Sequence, residues 1–173
     1  MATNSFGVER MVTLNIRGIQ VNVEIWNESA KETLVLLHGF TGSTRTWRHV
    51  IGFLPNSIKI VASYLIGHVK TESPKDVARY SMIEQVKDLE EIFEQLELQY
   101  FTLLGYSMGG RVALSYAVRF PKRIKKLILE SSSPGLQSEQ EQANRRKADE
   151  YLANEIEQQG IEALPYLIAA KIR

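Results

Sequence analysis

A single serine lies between two glycines at the point where an apolar run meets a helical pattern. The segment from Phe101 to Pro121 reads FTLLGYSMGGRVALSYAVRFP, and residues 105–109 form the pattern Gly-x-Ser-x-Gly. A serine on a sharp strand-to-helix turn is a nucleophile elbow: the turn lifts the hydroxyl above the sheet edge, and the glycines remove Cβ atoms that would clash. Glycines also mark ordinary turns, so the elements around Ser107 decide between an ordinary turn and a nucleophile elbow. With a strand before it and a helix after it, Ser107 is the predicted catalytic residue.

The same turn predicts where a negative charge would be stabilised. A helix that begins at Met108 directs its first N–H groups toward the serine. The backbone N–H of Met108 is therefore one predicted oxyanion donor. The N–H of Phe40, in the loop after the apolar run TLVLLHGF, is the second. The chain has three histidines, His38, His49 and His68. We interpret His38 as a residue that shapes the HG turn, and the other two as surface or loop residues, rather than as the catalytic base.

The composition excludes several classes of function. The chain has 173 residues, with 21 basic and 20 acidic side chains, so no net charge favours nucleic acid or an anionic membrane. It has no cysteine, which excludes disulfides, thiolate metal sites and a thiol nucleophile. Its apolar runs are far shorter than the roughly 18 residues of a membrane span, and its first residues lack the pattern of a secretory signal. We expect a cytoplasmic protein that binds neither nucleic acid nor membrane.

Predicted strands and helices alternate along the chain. The segment VTLNIRGIQVNVEIW predicts a β-hairpin, and four segments predict buried strands: TLVLLHGF, IKIVASYLIG, YFTLLGYS and IKKLILESSS. Helical patterns occupy the segments between these strands, and a very polar helix is predicted from Ser138 onward. This order predicts an α/β protein with a mostly parallel sheet and an N-terminal antiparallel hairpin. The HGF loop and the Gly-x-Ser-x-Gly turn both fall at the carboxyl ends of strands, where such sheets bind ligands.

Four segments together resemble the α/β-hydrolase superfamily: LVLLHGFTGSTRTW, LIGHVKTESP, GYSMGGRVALSYAVRFP and LILESSSPGL. Within it, GYSMGGR, a downstream SPGL and an arginine-bearing helix are similar to the 2-succinyl-6-hydroxy-2,4-cyclohexadiene-1-carboxylate synthases of menaquinone biosynthesis. The resemblance runs from about Val12 to about Ile161. It implies an α/β-hydrolase fold in which residues 1–135 are the N-terminal part of the core and residues 136–173 begin a helical cap. It implies no cofactor and no metal.

The resemblance also implies a reaction, the elimination of pyruvate from a cyclohexene dicarboxylate. The serine, made basic by a His–Asp pair, abstracts a ring proton, and the oxyanion hole stabilises the resulting charge. Arginines must meet the carboxylate-bearing substrate, because a guanidinium binds a carboxylate bidentately. By the family pattern these are Arg111, four residues after the serine, and Arg145, on the first cap helix. Tyr106 matches a family residue that lines the pocket.

Each of these residues also has an interpretation that involves no contact with a substrate. Arg111 and Arg145 are also compatible with solvated helix faces, and Tyr106 with packing alone. Arg45 and Trp47, after the HGF loop, either shape the pocket or support it. A neutral ester gains little from two guanidinium groups. Confirmed substrate roles for the two arginines would therefore favour the lyase over a carboxylic-ester or thioester hydrolase on the same fold.

The chain departs from the family pattern in two ways. The family's triad runs in the order serine, acid, histidine, yet no strand ending in an aspartate and no late histidine occurs before Arg173. We therefore expect an N-terminal part, truncated before the last strands. In addition, Ser63, Tyr64 and Val69 stand where relatives carry an apolar residue, an aspartate and a glycine. The lost aspartate removes a polar partner for the loop, and these changes suggest an engineered, truncated or drifted chain.

The missing strands predict how the chain assembles. Without later strands, KKLILES would be an open sheet edge, and such edges pair with other chains. We expect a homodimer, a domain-swapped assembly or association with a complementing C-terminal fragment. The remaining alternative to either enzyme is an inactive scaffold that self-associates through this edge.

Overall fold

The computed structural model describes residues 10–170, with only the backbone described at residues 166, 169 and 170. The predicted lack of a secretory signal concerns the first residues of the chain, most of which lie outside the described range. The described residues form six strands: β1 (Arg10–Ile16), β2 (Ile19–Trp26), β3 (Glu32–Leu37), β4 (Ile58–Ser63), β5 (Phe101–Tyr106) and β6 (Ile124–Glu130).

The six strands form one sheet in the order β1-β2-β4-β3-β5-β6. β2 pairs antiparallel with β1 and with β4, whereas β4, β3, β5 and β6 run parallel. Arg17 and Gly18 form the two-residue turn of the β1–β2 hairpin with φ values of 49° and 86°. Two successive positive φ angles give the turn twist that suits a tight hairpin. The prediction of a mostly parallel sheet with an N-terminal antiparallel hairpin is confirmed.

Three helices lie between strands as predicted: α1 (Arg48–Ile51), α2 (Met82–Gln95) and α3 (Met108–Arg119). The predicted polar helix α4 (Glu139–Gln159) follows β6, and a further helix, α5 (Leu164–Ala170), comes after it. Short 3-10 helices add four more segments: Thr44–Trp47, Val77–Tyr80, Pro121–Arg123 and Ile161–Ala163. The side chain of Ser81 caps α2 by accepting a hydrogen bond from the Glu84 N–H. Within residues 10–170, no helix combines the length and apolarity needed to cross a membrane.

Side chains of β3 enter a different core on each face of the sheet. Val35 and Leu37 pack with the apolar faces of α2 and α3, while Leu34 and Leu36 pack with Trp47 on the opposite face. A strand covered on both faces needs apolar residues at successive positions rather than at alternate ones. This explains the continuous run TLVLL and confirms that its strand is buried.

β6 corrects one prediction. Its apolar run predicts a buried strand, but Ile128 and Leu129 are 42% and 40% exposed, and no residue of β6 is buried. β6 pairs with β5 along one edge, and no strand in the described part of the chain pairs with its other edge. The prediction was wrong because an apolar run indicates a strand suited to a sheet interior, and its neighbours decide whether it is covered.

The chain divides into two compact units, the first ending at Pro134 and the second beginning at Gly135. The first contains the sheet with α1, α2 and α3, and the second contains α4 and α5. α4 begins with a capping box, in which the side chains of Ser138 and Glu141 each satisfy a backbone N–H of the other. No residue of α4 is buried, which fits its very polar sequence.

Candidate active site

Ser107 lies at the turn between β5 and α3, directly before the helix. Its φ of 52° and ψ of −111° lie outside the regions that residues with a Cβ ordinarily adopt. Strained backbone of this kind concentrates at functional sites. The Ser107 N–H donates to the carbonyl of Glu130 at 2.9 Å, and the Ser107 carbonyl accepts from the N–H groups of Gly110 and Arg111 at 3.1 and 3.2 Å. β6 and the first turn of α3 thus hold the strained turn from both sides.

Three glycines let α3 begin directly against the ends of the strands. A methyl group on Gly109 would lie 2.4 Å from the carbonyl oxygen of Leu37, and one on Gly105 would lie 2.3 Å from that of Gly109. A methyl group on Gly110 would lie 2.5 Å from the Cβ of Ser132. Any side chain at these positions would push the helix away from the turn. Close approach of backbone to backbone is therefore the physical reason for the glycine-rich segment.

The loop after β3 lies against this turn. A methyl group on Gly39 would lie 2.9 Å from Cδ1 of Tyr106 and 3.3 Å from Cβ of Ser107. The backbone N–H groups of Phe40 and Met108 donate hydrogen bonds to no other residue of the described chain. Both N–H groups are thus available to a ligand at this edge of the sheet. Their roles as oxyanion donors stay predictions.

His38 is fully buried behind this loop. Its Nε2 accepts a hydrogen bond from the backbone N–H of Leu65 at 3.1 Å, and its Nδ1 lies 2.8 Å from the carbonyl oxygen of Gly39. With Nε2 accepting, the proton is on Nδ1, which donates to that carbonyl. Burial lowers the pKa of His38 to about 4, with a smaller contribution from His68. Both ring nitrogens are occupied, which confirms that His38 shapes the loop.

Arg111 lies one helical turn after Ser107, on the same face of α3. Its guanidinium donates from Nη2 to the hydroxyl of Ser133 at 3.3 Å. It is half-buried, yet no carboxylate of any described residue lies within ion-pair distance of it. Tyr106, 39% exposed, lies beside the serine against Gly39. The structure therefore brings together Tyr106, Ser107 and Arg111 at the carboxyl end of β5.

Arg145 belongs to the second unit, on α4. Its side chain is exposed, and its Nε donates to Oδ2 of Asp149 at 2.7 Å, one turn further along the same helix. This pairing is typical of a solvated helix face. The role of Arg145 in binding a substrate stays a prediction.

The two residues after the HGF loop have different environments. Trp47 is buried in the core with Leu36, so it supports the loop from inside the protein. Arg45 is exposed and forms no ion pair with another described residue. His49, on α1, is exposed as predicted. Of these three residues, Trp47 has a structural role that its core contacts show, and a role of Arg45 in shaping the pocket stays a prediction.

The loop after β4 keeps a polar partner despite the departures in its sequence. The hydroxyl of Tyr64 donates to Oε1 of the buried Glu24 at 2.7 Å. Val69 has a φ of 49° and is exposed, so a β-branched residue stands in a conformation that suits glycine. Val69 thus adopts backbone geometry that glycine would adopt more easily, and Tyr64, at the position of the family's aspartate, bonds Glu24 of β2.

Sequence reasoning missed the segment that follows β6, Ser131–Ser133, which we call the serine loop. The hydroxyl of Ser132 donates to the carbonyl of Ser107 at 3.2 Å, and the hydroxyl of Ser133 accepts from Arg111. Ser131 has a φ of 48°. A sequence clue was present, because three consecutive serines directly follow a strand beside β5 and thus lie at the ligand-binding edge.

Comparison with known proteins agrees with this geometry. The family described as alpha/beta hydrolase fold matches residues 32–162. The chain belongs to this family. It is 42% identical over 156 residues to the Bacillus subtilis (strain 168) protein named "Putative 2-succinyl-6-hydroxy-2,4-cyclohexadiene-1-carboxylate synthase", a match that covers 88% of this chain and 57% of that protein. It is also 32% identical over 129 residues to the Enterobacter sp. (strain 638) 2-succinyl-6-hydroxy-2,4-cyclohexadiene-1-carboxylate synthase, covering 75% of this chain and 48% of that protein.

Among solved structures, the thioesterase domain from the curacin biosynthetic pathway is similar to this α/β-hydrolase chain. It superposes with a TM-score of 0.68 at 25% identity, over 79% of this chain and 51% of that structure. The chain thus spans about half the length of the relatives that it matches.

Proposed function

We propose that this chain contains the serine-bearing part of a lyase that eliminates pyruvate to form 2-succinyl-6-hydroxy-2,4-cyclohexadiene-1-carboxylate, a step of menaquinone biosynthesis. The 42% identity to the Bacillus subtilis relative supports this reaction. The observation that carries it is Arg111, a half-buried guanidinium with no carboxylate partner among the described residues, one turn from a strained serine. Such a charge suits a carboxylate substrate better than a neutral ester.

In this proposal each residue of the site has one task. Ser107 abstracts the ring proton as general base, and pyruvate leaves as the ring becomes conjugated. The N–H groups of Phe40 and Met108 stabilise the charge that develops on the substrate. Arg111 binds a substrate carboxylate, with Tyr106 lining the pocket beside it. Residues 1–135 are then the N-terminal part of the hydrolase core. Residues 136–173 begin the cap.

Ser107 needs an activating base, and its hydroxyl forms no hydrogen bond with any residue of the described chain. His38 is excluded because both its ring nitrogens are occupied. We therefore propose that a His–Asp pair comes from a complementing C-terminal segment. The open edge of β6 is where an added strand would pair. The proposed location is the cytoplasm.

A hydrolase acting on carboxylic esters or thioesters is the second candidate. The likeness to the curacin thioesterase domain favours it. Such an enzyme uses the same serine and oxyanion donors, but Ser107 then attacks an acyl carbon as a nucleophile. It has little need of Arg111, so substitution of that residue separates the two reactions. An inactive, self-associating scaffold is the third candidate.

The deciding experiment is labelling with a fluorophosphonate probe, measured by intact mass, on the protein and on Ser107→Ala. A single adduct that disappears in the variant would support an activated serine, and pyruvate release from the cyclohexene substrate then tests the lyase.

In the pyruvate assay, Arg111→Ala should reduce kcat/KM by roughly 10- to 100-fold, which corresponds to the loss of one hydrogen bond to a charged group. Arg119→Ala is the matched control, because Arg119 is an exposed arginine on the same helix. The hydrolase would be supported instead if the probe labels Ser107 and the protein hydrolyses a neutral ester at a rate that Arg111→Ala does not change.

A further inference from the structure

Residues 105–109 form the turn that carries Ser107, which we call the nucleophile turn. The end of β6 and the serine loop contact this turn and the start of α3 at three points. The Glu130 carbonyl, directly before the loop, accepts the Ser107 N–H at 2.9 Å, and the Ser132 hydroxyl donates to the Ser107 carbonyl at 3.2 Å. The Cβ of Ser132 also fills the space that a side chain on Gly110 would need. The loop is therefore fixed relative to Ser107, and any group that it carries has a defined position with respect to that residue.

The third residue of the loop carries such a group. The Ser133 hydroxyl accepts a hydrogen bond from Nη2 of Arg111 at 3.3 Å. The other half-buried arginines described in the first unit are held by carboxylates, Arg79 by Asp88 and Arg123 by Glu90, and the exposed Arg17 also pairs with Asp88. Arg111 differs, because among the described residues its guanidinium has a neutral hydroxyl instead of an acid.

This difference has a physical consequence. A guanidinium paired with a carboxylate is neutralised and unavailable to an anionic ligand. A hydroxyl fixes the orientation of the guanidinium without cancelling its charge, and the remaining N–H groups stay free for a planar, bidentate contact. Long side chains lose rotamer freedom on binding, so holding one in place beforehand strengthens binding.

We infer that Ser133 is a positioning residue that orients Arg111 for a substrate carboxylate. This inference rests on the carboxylate-bearing substrate of the proposed function and deepens it. Ser133 does not touch the reacting atoms. It acts through the guanidinium, while Ser132 and the Glu130 carbonyl keep the loop in register with Ser107.

The test uses succinate, a simple dicarboxylate, as the probe, and the Nε–Hε resonance of Arg111 as the reporter. The resonance is assigned by its loss in Arg111→Lys. In Ser133→Ala we expect faster solvent exchange of this proton and a dissociation constant for succinate that is about three- to tenfold higher. Ser131→Ala is the matched control, because among the described residues the Ser131 hydroxyl bonds only the neighbouring Glu130 carboxylate, and Ser131 is exposed, as Ser133 is. Ser131→Ala should change neither the exchange rate nor the dissociation constant. Ser133→Thr, which keeps a hydroxyl, should give the values of the unaltered protein.

A double-mutant cycle separates positioning from a general effect on the fold. In the Arg111→Ala background, Ser133→Ala should weaken succinate binding no further, because the residue through which it acts is gone. Additive losses in the cycle, equal losses in Ser131→Ala, or no chemical-shift change of Arg111 on adding succinate to the unaltered protein would each overturn the inference. The fluorophosphonate assay reports on Ser107, and succinate binding reports on Arg111 and Ser133 without requiring any reaction. A protein that passes the succinate cycle but releases no pyruvate, even when complemented with the segment that supplies the His–Asp pair, would refute the lyase and leave the role of Ser133 intact.

Discussion

The hydroxyl of Tyr64 donates a hydrogen bond of 2.7 Å to the buried carboxylate of Glu24, from the end of β4 to the neighbouring β2. Glu24 is 2% exposed, and its second oxygen, Oε2, has no hydrogen-bond partner among the described residues. Tyr64 therefore supplies the only hydrogen bond that a described side chain makes to this carboxylate. The loop that carries His68 and borders the active site begins at this contact.

Removal of this hydroxyl should destabilise the fold. In Tyr64→Phe, the Glu24 carboxylate stays buried and loses its donor, so we expect the free energy of unfolding to fall by about 1–3 kcal/mol. Urea denaturation monitored by circular dichroism measures the change. Tyr80→Phe is the control, because the Tyr80 hydroxyl donates to the Pro74 carbonyl at an exposed site. Equal effects of the two variants would contradict the importance of the buried pair.

Two glycines at the site, Gly109 in the nucleophile turn and Gly39 in the HGF loop, predict an order of severity. In Gly109→Ala the new methyl group would meet the backbone oxygen of Leu37 at 2.4 Å, and a strand in the middle of the sheet cannot move away. In Gly39→Ala it would meet the ring of Tyr106 at 2.9 Å, and that ring is partly exposed and can turn. We expect a loss of about 3 kcal/mol or more for Gly109→Ala and about 1 kcal/mol for Gly39→Ala, measured by urea denaturation. A reversed order would show that helix α3 shifts more easily than the Tyr106 ring.

These examples show how much of the fold and the site the sequence predicts. Ser107 and the glycines around it were predictable because the constraint is local: a strand, a strained turn and a helix follow one another within a few residues. The Tyr64–Glu24 bond joins residues 40 positions apart, and no periodic pattern encodes such a pair. The exposure of Ile128 likewise depends on which strands adjoin β6. The apolar run does not show this, whereas the departure from the family pattern did predict the open edge.

The buried imidazole of His38 makes stability depend on pH. Its pKa is lowered from its ordinary value of 6.5 to about 4, mainly by burial, so between these values the unfolded chain binds a proton that the folded chain does not. The contribution is complete above pH 6.5 and declines as the pH falls toward 4. From pH 7 to pH 5 this residue should lower the free energy of unfolding by about 2 kcal/mol.

Urea denaturation at the two pH values tests this dependence. His38→Asn should reduce the difference between pH 7 and pH 5 by most of that amount, even if the variant is less stable at both. His49→Gln, at an exposed histidine, should leave the difference unchanged. The same pH dependence in His38→Asn as in the unaltered protein would assign it to other groups.

The open edge of β6 predicts how the proposed association can be blocked. Ile128 is 42% exposed on a strand whose outer edge pairs with no described strand, and an added strand at that edge would cover it. If two copies pair there, light scattering after size exclusion should give about twice the chain mass of 19.7 kDa, and Ile128→Glu should restore the single-chain mass. A charged side chain on an edge strand opposes pairing with a further strand, and this is how natural sheets block edge-to-edge association.

Val118→Glu is the control that distinguishes an effect at the edge of β6 from the effect of adding a charge elsewhere on the surface. Val118 is 75% exposed on α3, so a charge there should leave the mass unchanged. A single-chain mass for the unaltered protein would contradict pairing between copies, and addition of a complementing C-terminal segment would then be the next measurement. In that case Ile128→Glu should abolish the capture of the segment, while Val118→Glu should not, because of the two edge strands in the described sheet β6 is the one beside β5 and the candidate active site.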